Sequence, residues 1–320
     1  MSSSLSVGDV EAARGRIAGI VHRTPVVRSR TLDALAGAEV LLKAESLQRA
    51  GSFKFRGASH RIALLDDGER RRGVVCGSSG NHGSALALAG SLAGVPVTVV
   101  MPEDSSALKR KAVEGYGATV VTHDRYTTCN TDIAASIAEQ TGAVLVPPYD
   151  DPRIMAGAGT TALELVEEVP DLDVFLAPVS GGGLMAGCST VVADRCPGAQ
   201  IVGVEPVEAD DTRRSLAAGE RVETPVGRTI CDGLQTPVPG LLTWEVNRRL
   251  LSDVVAVTDE EVVDAMRFAF ERLKLVLEPS GAATLAAILH HGAAKGRTGA
   301  VLSGGNVAAG RFAELVEAGG

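Results

Sequence analysis

The sequence is short of aromatic residues, of positive charge and of long apolar runs. Aromatic side chains account for 3% of its 320 residues, too few for a surface that stacks on bases or sugars. The formal net charge of −8 argues against a nucleic-acid-binding protein. Because neither a long apolar run nor a signal-peptide pattern is present, we expect no membrane span and a cytoplasmic protein.

Cysteine is also scarce, and its spacing argues against two common uses of the thiol. The chain contains Cys76, Cys129, Cys188, Cys196 and Cys231. The number is odd and no two cysteines are separated by two residues. This pattern predicts reduced thiols rather than disulfides or a zinc site.

Glycine and aliphatic residues are abundant, and they are arranged as strands that alternate with helices. Hydrophobic residues make up 45% of the sequence and 37 residues are glycine, which suits a large core with many tight turns. We predict strands at 40–45, 74–76, 95–102, 118–123, 143–148, 174–179, 201–206, 254–257 and 300–304. Helical patterns follow most of them, so the expected fold class is α/β, with mostly parallel sheets covered by helices on both faces.

Two polar segments interrupt this alternation. Residues 66–73 and 147–153 are rich in charged and turn-forming residues, and we predict that the chain passes between domains there. At the amino terminus, the apolar spacing over 8–22 predicts an amphipathic helix that ends before Thr24 and Pro25.

Residues 46–59, SLQRAGSFKFRGAS, place a lysine in an unusual setting. Ser52 is a suitable helix N-cap, and Phe53 and Phe55 flank Lys54. An amine between aromatic rings at a helix start loses solvent, and both that loss and the positive helix end lower its pKa. Such a lysine can act as an imine-forming nucleophile, but a surface lysine on an amphipathic helix fits this stretch equally well.

The turns after the predicted strands are where a site is expected. The segment 77–83, GSSGNHG, exposes backbone N–H groups at a helix start, which suits a carboxylate or a phosphate. Ser79 adds a hydroxyl and Asn81 a neutral donor. A simple cap needs fewer polar residues than this, so we favour a ligand-binding loop.

A second glycine-rich turn, residues 180–184, also precedes a helix. Its bare amides would bind a phosphate without a charged side chain. Together with Gly187 and Glu205, the same turn resembles a dinucleotide fingerprint, although its spacing is one residue too long. This turn therefore leaves both a phosphate loop and a nicotinamide-binding oxidoreductase open.

Carboxylates are concentrated after another predicted strand, in residues 205–211. Acidic side chains spaced this closely can hold a hard divalent cation through oxygen ligands, but they are also common in solvated caps. Two further turns, 278–282 and 303–306, are each unremarkable when taken alone.

Taken together, these segments resemble the fold-type II pyridoxal-phosphate enzymes, and specifically the serine/threonine dehydratases and serine racemases. The motifs GSFKFRGA, SSGNHG, PVSGGGL, GVEP with ADD, EPSGA and LSGGN occur in the family's order, from about residue 24 to residue 306. The resemblance implies a two-domain tryptophan-synthase-β-like fold, in which each domain is a mostly parallel twisted sheet covered by helices. Residues 1–68 and 150–320 would form the large cofactor-binding domain, and residues 69–149 a small mobile substrate-binding domain.

The resemblance also implies residue roles. Lys54 would carry pyridoxal 5'-phosphate covalently and, once released by the substrate, remove the Cα proton on one face. Ser79 would face the opposite side of Cα, where racemases use a serine hydroxyl. The cofactor would be bound by Lys54, Phe53, Asn81, Ser180, Gly181, Gly182, Gly183, Leu184 and Ser303. Within that set, Asn81 would meet the phenolic oxygen and Ser303 the pyridine nitrogen.

The resemblance places substrate and metal sites as well. The substrate carboxylate would be received by Ser78, Ser79, Gly80, Asn81 and His82. A divalent cation, Mg²⁺ or else Ca²⁺ or Mn²⁺, would be held by Glu205, Asp211 and the carbonyl of Ala209.

The implied activity is an ammonia-lyase that converts L-serine, L-threonine or a related β-hydroxy amino acid to a 2-oxo acid and ammonia. A serine facing the pyridine nitrogen makes the cofactor a weaker electron sink, which favours loss of a β-leaving group. Serine racemase, favoured by Ser79, remains an alternative, because racemases and lyases share their first steps. Threo-3-hydroxyaspartate dehydratase remains another, because racemase-like relatives often carry an arginine near the position of Cys129, in a region that lies close to the substrate in the family. An inactive ligand-binding relative is the alternative from another class. A small amino-acid substrate and a homodimer are the expected partners.

Overall fold

The structure of the chain is a computed structural model that describes residues 5–78, 80–105, 107–124 and 126–317, without the side chains of 107–109. The strands are β1 (Val26–Val27), β2 (Glu39–Ala44), β3 (Val74–Gly77), β4 (Val97–Pro102), β5 (Thr119–His123), β6 (Val144–Leu145), β7 (Val174–Pro178), β8 (Gln200–Pro206), β9 (Asp253–Val257) and β10 (Arg297–Leu302). The helices are α1 (Val7–Ile17), α2 (Arg30–Ala36), α3 (Lys54–Ala63), α4 (Asp67–Arg72), α5 (Asn81–Ala93), α6 (Ala107–Gly115), α7 (Asn130–Thr141), α8 (Pro152–Glu168), α9 (Gly183–Arg195), α10 (Asp211–Ala218), α11 (Leu241–Leu250), α12 (Asp259–Phe268), α13 (Pro279–His291) and α14 (Ala309–Glu317).

The strands form two sheets. A six-stranded sheet, called here the large sheet, has the order β1-β2-β10-β7-β8-β9, and a four-stranded sheet, the small sheet, has the order β5-β4-β3-β6. Every neighbouring pair is parallel except β1 with β2. The predicted α/β class with mostly parallel sheets is therefore confirmed.

Helices cover both faces of each sheet, as parallel strands require. On one face of the large sheet, Phe175 packs with Leu165 of α8 and Met185 of α9. On the other face the aliphatic residues of α12 and α13 form a second core. The small sheet is covered by α3 and α5 on one side and by α7 on the other. All nine predicted strands are present, most of them within one or two residues of the expected bounds.

Three local predictions were wrong. The first helix ends at Ile17, five residues earlier than predicted, and a left-handed Gly19 follows it. Residues 66–73 were expected to be a polar break, but 67–72 form helix α4, because Asp66 and Glu69 make a capping box and three arginines close the helix.

Ser52 was the third. It was expected to cap α3, but Phe53 occupies the N-cap position and no side chain caps that end. Ser52 is instead in extended conformation and bridges to Gly304. Among the described residues, no helix combines the length and hydropathy needed to cross a membrane.

Candidate active site

A cavity of about 500 Å³ lies at the carboxyl ends of strands from both sheets. Its lining includes most of the site residues predicted from the sequence: Phe53, Lys54, Ser78, Gly80, Asn81, His82, Ser180, Gly181, Gly182, Gly183, Leu184 and Ser303. Ser79, the predicted opposite-face hydroxyl, lies outside the described residues. Four separate stretches of sequence thus contribute to one cavity, which is the arrangement expected of a site in parallel sheets.

Lys54 is the first residue of α3, and its amine faces this cavity. Its Nζ donates a hydrogen bond to the Pro148 carbonyl at 2.7 Å and lies 5.1 Å from the centre of the Phe53 ring. Burial lowers the pKa of Lys54 to about 8, in the direction predicted from the sequence. Phe55 points elsewhere, into the core beside the small sheet. A substantial fraction of the amine is therefore neutral and nucleophilic near pH 8.

The start of α3 is joined to the end of β10. The backbone N–H of Phe53 donates to the Ser303 carbonyl at 3.1 Å, and Ser52 pairs with Gly304. Two motifs that are 250 residues apart in the sequence therefore meet at the lysine. The Ser303 hydroxyl itself contacts the Ser280 carbonyl at 3.4 Å and is largely buried at the cavity wall.

Beneath Lys54, α3 is fixed by a buried group of ion pairs, called here the Arg56 cluster: Lys43, Glu45, Arg56 and Glu164. The Arg56 guanidinium binds Glu45 through two bonds of 2.8 Å, and Glu164 through bonds of 2.7 and 2.9 Å. Lys43 donates to Glu164 at 2.7 Å. Arg56, Lys43 and Glu45 are fully buried. The cluster ties α3 to α8 and to β2 with the turn after it.

The glycine loop, residues 180–183, has the shape of an anion cradle. The backbone N–H groups of Ser180 and Gly181 make no hydrogen bond with the described part of the chain. A Cβ atom on Gly181 would come within 2.5 Å of the Tyr149 ring, and Gly182 has a φ of +92°. Only glycine permits this approach and this backbone turn, which leaves free N–H groups beside the start of α9.

Asn81 and His82 already have partners in the chain. The Asn81 amide donates to Glu278 at 2.6 Å and accepts from Asn306 at 2.7 Å. Nε2 of His82 lies 3.0 Å from the Val146 carbonyl. Burial, and then the nearby charge of Lys54, lower the pKa of His82 to about 3, so the ring is neutral. His82 thus contributes no positive charge to a substrate carboxylate.

The predicted metal ligands lie outside the cavity lining, beyond Thr236. Glu205 and Asp211 are fully buried, and Oδ2 of Asp211 has no hydrogen-bond partner among the described residues. Burial, together with the charge of Asp211, raises the pKa of Glu205, and burial likewise raises the pKa of Asp211. The Thr236 hydroxyl donates to Asp211 at 3.3 Å and lies 3.4 Å from the Ser180 hydroxyl. We call Glu205 and Asp211 the carboxylate pair.

The position of Glu205 does not suit the dinucleotide hypothesis. Its carboxylate accepts the backbone N–H groups of Thr212 and Arg213 at 3.3 and 3.1 Å. A fingerprint acid must instead face the ligand, where it binds a ribose hydroxyl. Within the described residues, no group of three or more His, Cys, Asp or Glu side chains could hold a metal, so a cation at the pair would also need backbone or water oxygens.

Sequence reasoning missed several residues that shape the cavity. The segment 148–150 was marked only as the end of a predicted strand and as a domain crossing, yet Pro148 binds Lys54 and Tyr149 packs on the glycine loop. The segment begins three residues beyond the end of strand β6, and its place in the turn after a strand was the available signal. Thr243 and Asn247 of α11, which contact the same loop, carry no motif that marks them.

Comparisons with known proteins find matches over most of the chain. Residues 17–304 match the family described as "Pyridoxal-phosphate dependent enzyme". The chain is 43% identical to an L-threo-3-hydroxyaspartate ammonia-lyase of Saccharomyces cerevisiae, over 97% of this chain and 95% of that protein. The structure of maize serine racemase matches with a TM-score of 0.93 and 39% identity, covering 99% of this chain and 98% of the other. A threonine deaminase of Solanum lycopersicum matches with a TM-score of 0.90 and 28% identity, covering 99% and 96%.

Proposed function

The chain belongs to the family of pyridoxal-phosphate-dependent enzymes, and within it we propose an ammonia-lyase acting on L-serine, L-threonine or a related β-hydroxy amino acid. The observation that carries the proposal is the position of Lys54. Its partly neutral amine and the free N–H groups of the glycine loop line one cavity. Relatives named as an ammonia-lyase and as serine racemases are about 40% identical to this chain over almost its whole length.

The residues present fit the cofactor. Lys54 would hold its aldehyde carbon, the amides of 180–183 with Leu184 its phosphate, and Ser303 its ring nitrogen. Phe53 and Asn81 would contact its ring and phenolic oxygen. When bound, pyridoxal phosphate supplies an electron sink for the pair of electrons left at Cα when a proton departs. Ser303 at the ring nitrogen would keep that sink weak, which would favour loss of a β-substituent.

Lys54 would move the proton. A neutral amine with a pKa near 8 can accept the Cα proton at neutral to mildly alkaline pH, and its short bond to the Pro148 carbonyl holds it in place. The same amine can return a proton during release of the product.

The substrate carboxylate would bind on the loop 78–82. Ser78 contributes a hydroxyl, and the start of α5 contributes N–H groups and a positive helix end. The lining also carries Asp104, Asp232 and Glu278. Each of these acids already interacts with other groups of the chain, so they do not decide between substrates. We place serine and threonine first and 3-hydroxyaspartate next.

We propose that the carboxylate pair, with the carbonyl of Ala209, binds a divalent cation, Mg²⁺ before Ca²⁺ or Mn²⁺. Two buried carboxylates with raised pKa values and one unpaired oxygen fit a hard cation, because the cation supplies the missing positive charge. The contact of Thr236 with Ser180 would place that cation one side chain from the glycine loop.

A second candidate activity is racemisation of serine. The relatives include serine racemases, and the sequence has Ser79 available for the second face of Cα. Racemase and lyase share their first proton transfer, so the two activities diverge only after that step.

Replacing Lys54 tests the proposal directly. We expect Lys54→Ala to lower 2-oxo acid production by at least about 10⁴-fold, because one group serves as attachment point and base. The visible absorbance that borohydride bleaches in the wild type should disappear as well. Lys111→Ala, on the exposed surface of α6, is the matched control and should retain both. Turnover retained in Lys54→Ala would contradict the mechanism.

A substrate panel separates the activities. Serine, threonine and 3-hydroxyaspartate are each supplied with and without Mg²⁺ or a chelator, and 2-oxo acids and amino-acid enantiomers are measured together. Ser79→Ala should remove racemisation and leave most of the elimination. Equal loss of both would argue against an opposite-face role for Ser79.

Three further properties complete the proposal. Residues 69–149, with the small sheet, would form a mobile domain that closes on the substrate, against a large domain of 1–68 and 150–320. The enzyme would be a homodimer, as measurement of its mass in solution can check. Its five free cysteines suit a reducing compartment, and we place it in the cytoplasm.

A further inference from the structure

Helix α11 lies behind the glycine loop and has no part in the chemistry proposed above. Two of its residues, one turn apart, contact the loop. The Thr243 hydroxyl donates to the Gly181 carbonyl at 2.6 Å, and the Asn247 amide donates to the Gly182 carbonyl at 3.2 Å. Thr243 is 0% exposed and Asn247 is 1% exposed. Burying a hydroxyl or an amide is costly unless the group is hydrogen-bonded, so these two bonds stabilise the contact between α11 and the loop.

The approach of α11 to the loop is unusually close. A Cβ atom on Gly182 would lie 2.6 Å from Nδ2 of Asn247 and 2.9 Å from Oγ1 of Thr243. The positive φ of Gly182 turns its backbone into this contact. A side chain at Gly182 would therefore clash with α11, just as a side chain at Gly181 would clash with Tyr149.

These bonds orient two peptide units. In a trans peptide the N–H and the C=O point in opposite directions, so carbonyls drawn toward α11 leave the N–H groups pointing away from it. The Gly181 carbonyl, which also accepts the Gly240 N–H at 3.3 Å, shares its peptide with the Gly182 N–H, and that N–H closes a turn on the Val179 carbonyl at 3.1 Å. The Thr243 bond therefore supports the turn that holds the N–H groups of Ser180 and Gly181, which are unbonded within the described part of the chain. The Gly183 N–H points away from α11 and belongs to a residue that lines the cavity.

The start of α11 is itself held by Asp150, next to residues that line the cavity. The Asp150 carboxylate accepts the backbone N–H groups of Leu241, Leu242 and Thr243 at 3.0, 2.8 and 3.1 Å. Asp150 comes directly after the residues that bind Lys54 and pack on the loop. Residues 148–150 thus hold the Lys54 amine and also anchor the helix that supports the glycine loop.

We propose that Thr243 and Asn247 are positioning residues that preset the glycine loop for the phosphate of the cofactor. The inference rests on the proposed function only in taking pyridoxal phosphate as the cofactor, and not on which amino acid is the substrate. Preset amides cost no reorganisation when the phosphate arrives, so losing one support weakens binding of the phosphate specifically.

The test compares two variants of one position. Thr243→Val keeps the shape of the side chain and removes the hydroxyl, whereas Thr243→Ser keeps the hydroxyl. Full-length enzyme is freed of cofactor and titrated by visible absorbance with pyridoxal phosphate and with pyridoxal, which lacks the phosphate. We expect Thr243→Val to bind pyridoxal phosphate about tenfold more weakly, the worth of one hydrogen bond, with pyridoxal affinity unchanged. Thr243→Ser should bind both like the wild type.

Thr298→Val is the matched control. Its hydroxyl is also buried and donates to a backbone carbonyl, that of Lys295 at 2.8 Å, but this bond lies at the start of β10, away from the loop. We expect it to leave the affinity for pyridoxal phosphate unchanged.

The inference fails if Thr243→Val changes both affinities equally or neither, or if Thr298→Val gives the same loss. A wild type that does not bind pyridoxal phosphate would instead overturn the proposed function. Normal wild-type binding and turnover, with an unchanged ratio of affinities in Thr243→Val, would overturn the positioning role alone.

Discussion

The Arg56 cluster and the carboxylate pair are both buried groups of charges, and their surroundings are opposite. The cluster contains two cations and two carboxylates, and its ion pairs measure 2.7 to 2.9 Å. The pair contains two acids, and one oxygen of Asp211 has no partner among the described residues. The pKa of Glu164 in the cluster is lowered, because the bonds to Arg56 and Lys43 outweigh burial. The pKa of Glu205 is raised, because burial and a like charge act together.

The difference separates a structural role from the cation-binding role that we propose. A closed set of ion pairs needs nothing further, and it fixes the helix that carries Lys54. Two buried acids without a cation are stable only if they hold protons or gain a positive ion. Buried carboxylates therefore form a closed scaffold in one place and a proposed cation site in the other.

The largest effect should come from breaking the Arg56 cluster. Arg56→Met leaves two buried carboxylates with only Lys43, and we expect the free energy of unfolding to fall by about 3–5 kcal/mol. Urea unfolding monitored by circular dichroism measures it. The control is Arg297→Met, which breaks a half-exposed pair with Glu39 and should leave the free energy of unfolding almost unchanged. Equal losses in the two variants would remove the contrast between buried and exposed pairs.

A medium effect is expected when a cation reaches the carboxylate pair. Mg²⁺ at about 100 times its dissociation constant should stabilise the wild type by about 2.7 kcal/mol, as a ligand that binds only the folded state. Asp211→Asn should abolish this response, whereas Asp194→Asn, on the surface of α9, should retain it. Thermal unfolding with Mg²⁺ and with chelator gives the comparison. A full response in Asp211→Asn would show that the cation binds elsewhere.

The smallest effect concerns the sign of the pH dependence, measured in chelator. Because the folded pKa of Glu164 is lowered, its stabilisation is present at neutral pH and is lost as the pH falls below about 4. The raised pKa of Glu205 has the opposite consequence, and stability is lost as the pH rises above about 4. Thermal unfolding of Glu164→Gln, Glu205→Gln and the wild type is measured across pH. The difference in melting temperature between wild type and variant should change with pH in opposite directions for the two variants. Slopes of the same sign would contradict the distinction.

Much of the fold and part of the site could be predicted from the sequence. The aliphatic strands and the glycine turns after them depend on local pattern, and they were found because a buried parallel strand is a continuous apolar run. The setting of Lys54 was predicted in its main feature, a lowered pKa, but the cap was assigned to the wrong residue. Ser52 pairs with Gly304 instead, a contact between residues far apart in the chain.

The residues that escaped prediction act through tertiary contacts. Tyr149, Thr243 and Asn247 shape the glycine loop from positions with no motif of their own. Charged residues illustrate the same limit. The residues next to Glu205 and Glu164 in the sequence do not reveal which of the two carboxylates pairs with cationic side chains in the fold.

By itself, the sequence determined the alternation of strands and helices, the family and the lysine that we propose as the reactive group, because each of these depends on short segments and their order. Only the tertiary structure decided which side chains support those segments. It brought Pro148 to Lys54, α11 to the back of the glycine loop and Arg56 between two acids. The reason is that burial and pairing of charge are properties of the space around a side chain, and that space is filled by residues distant in the chain.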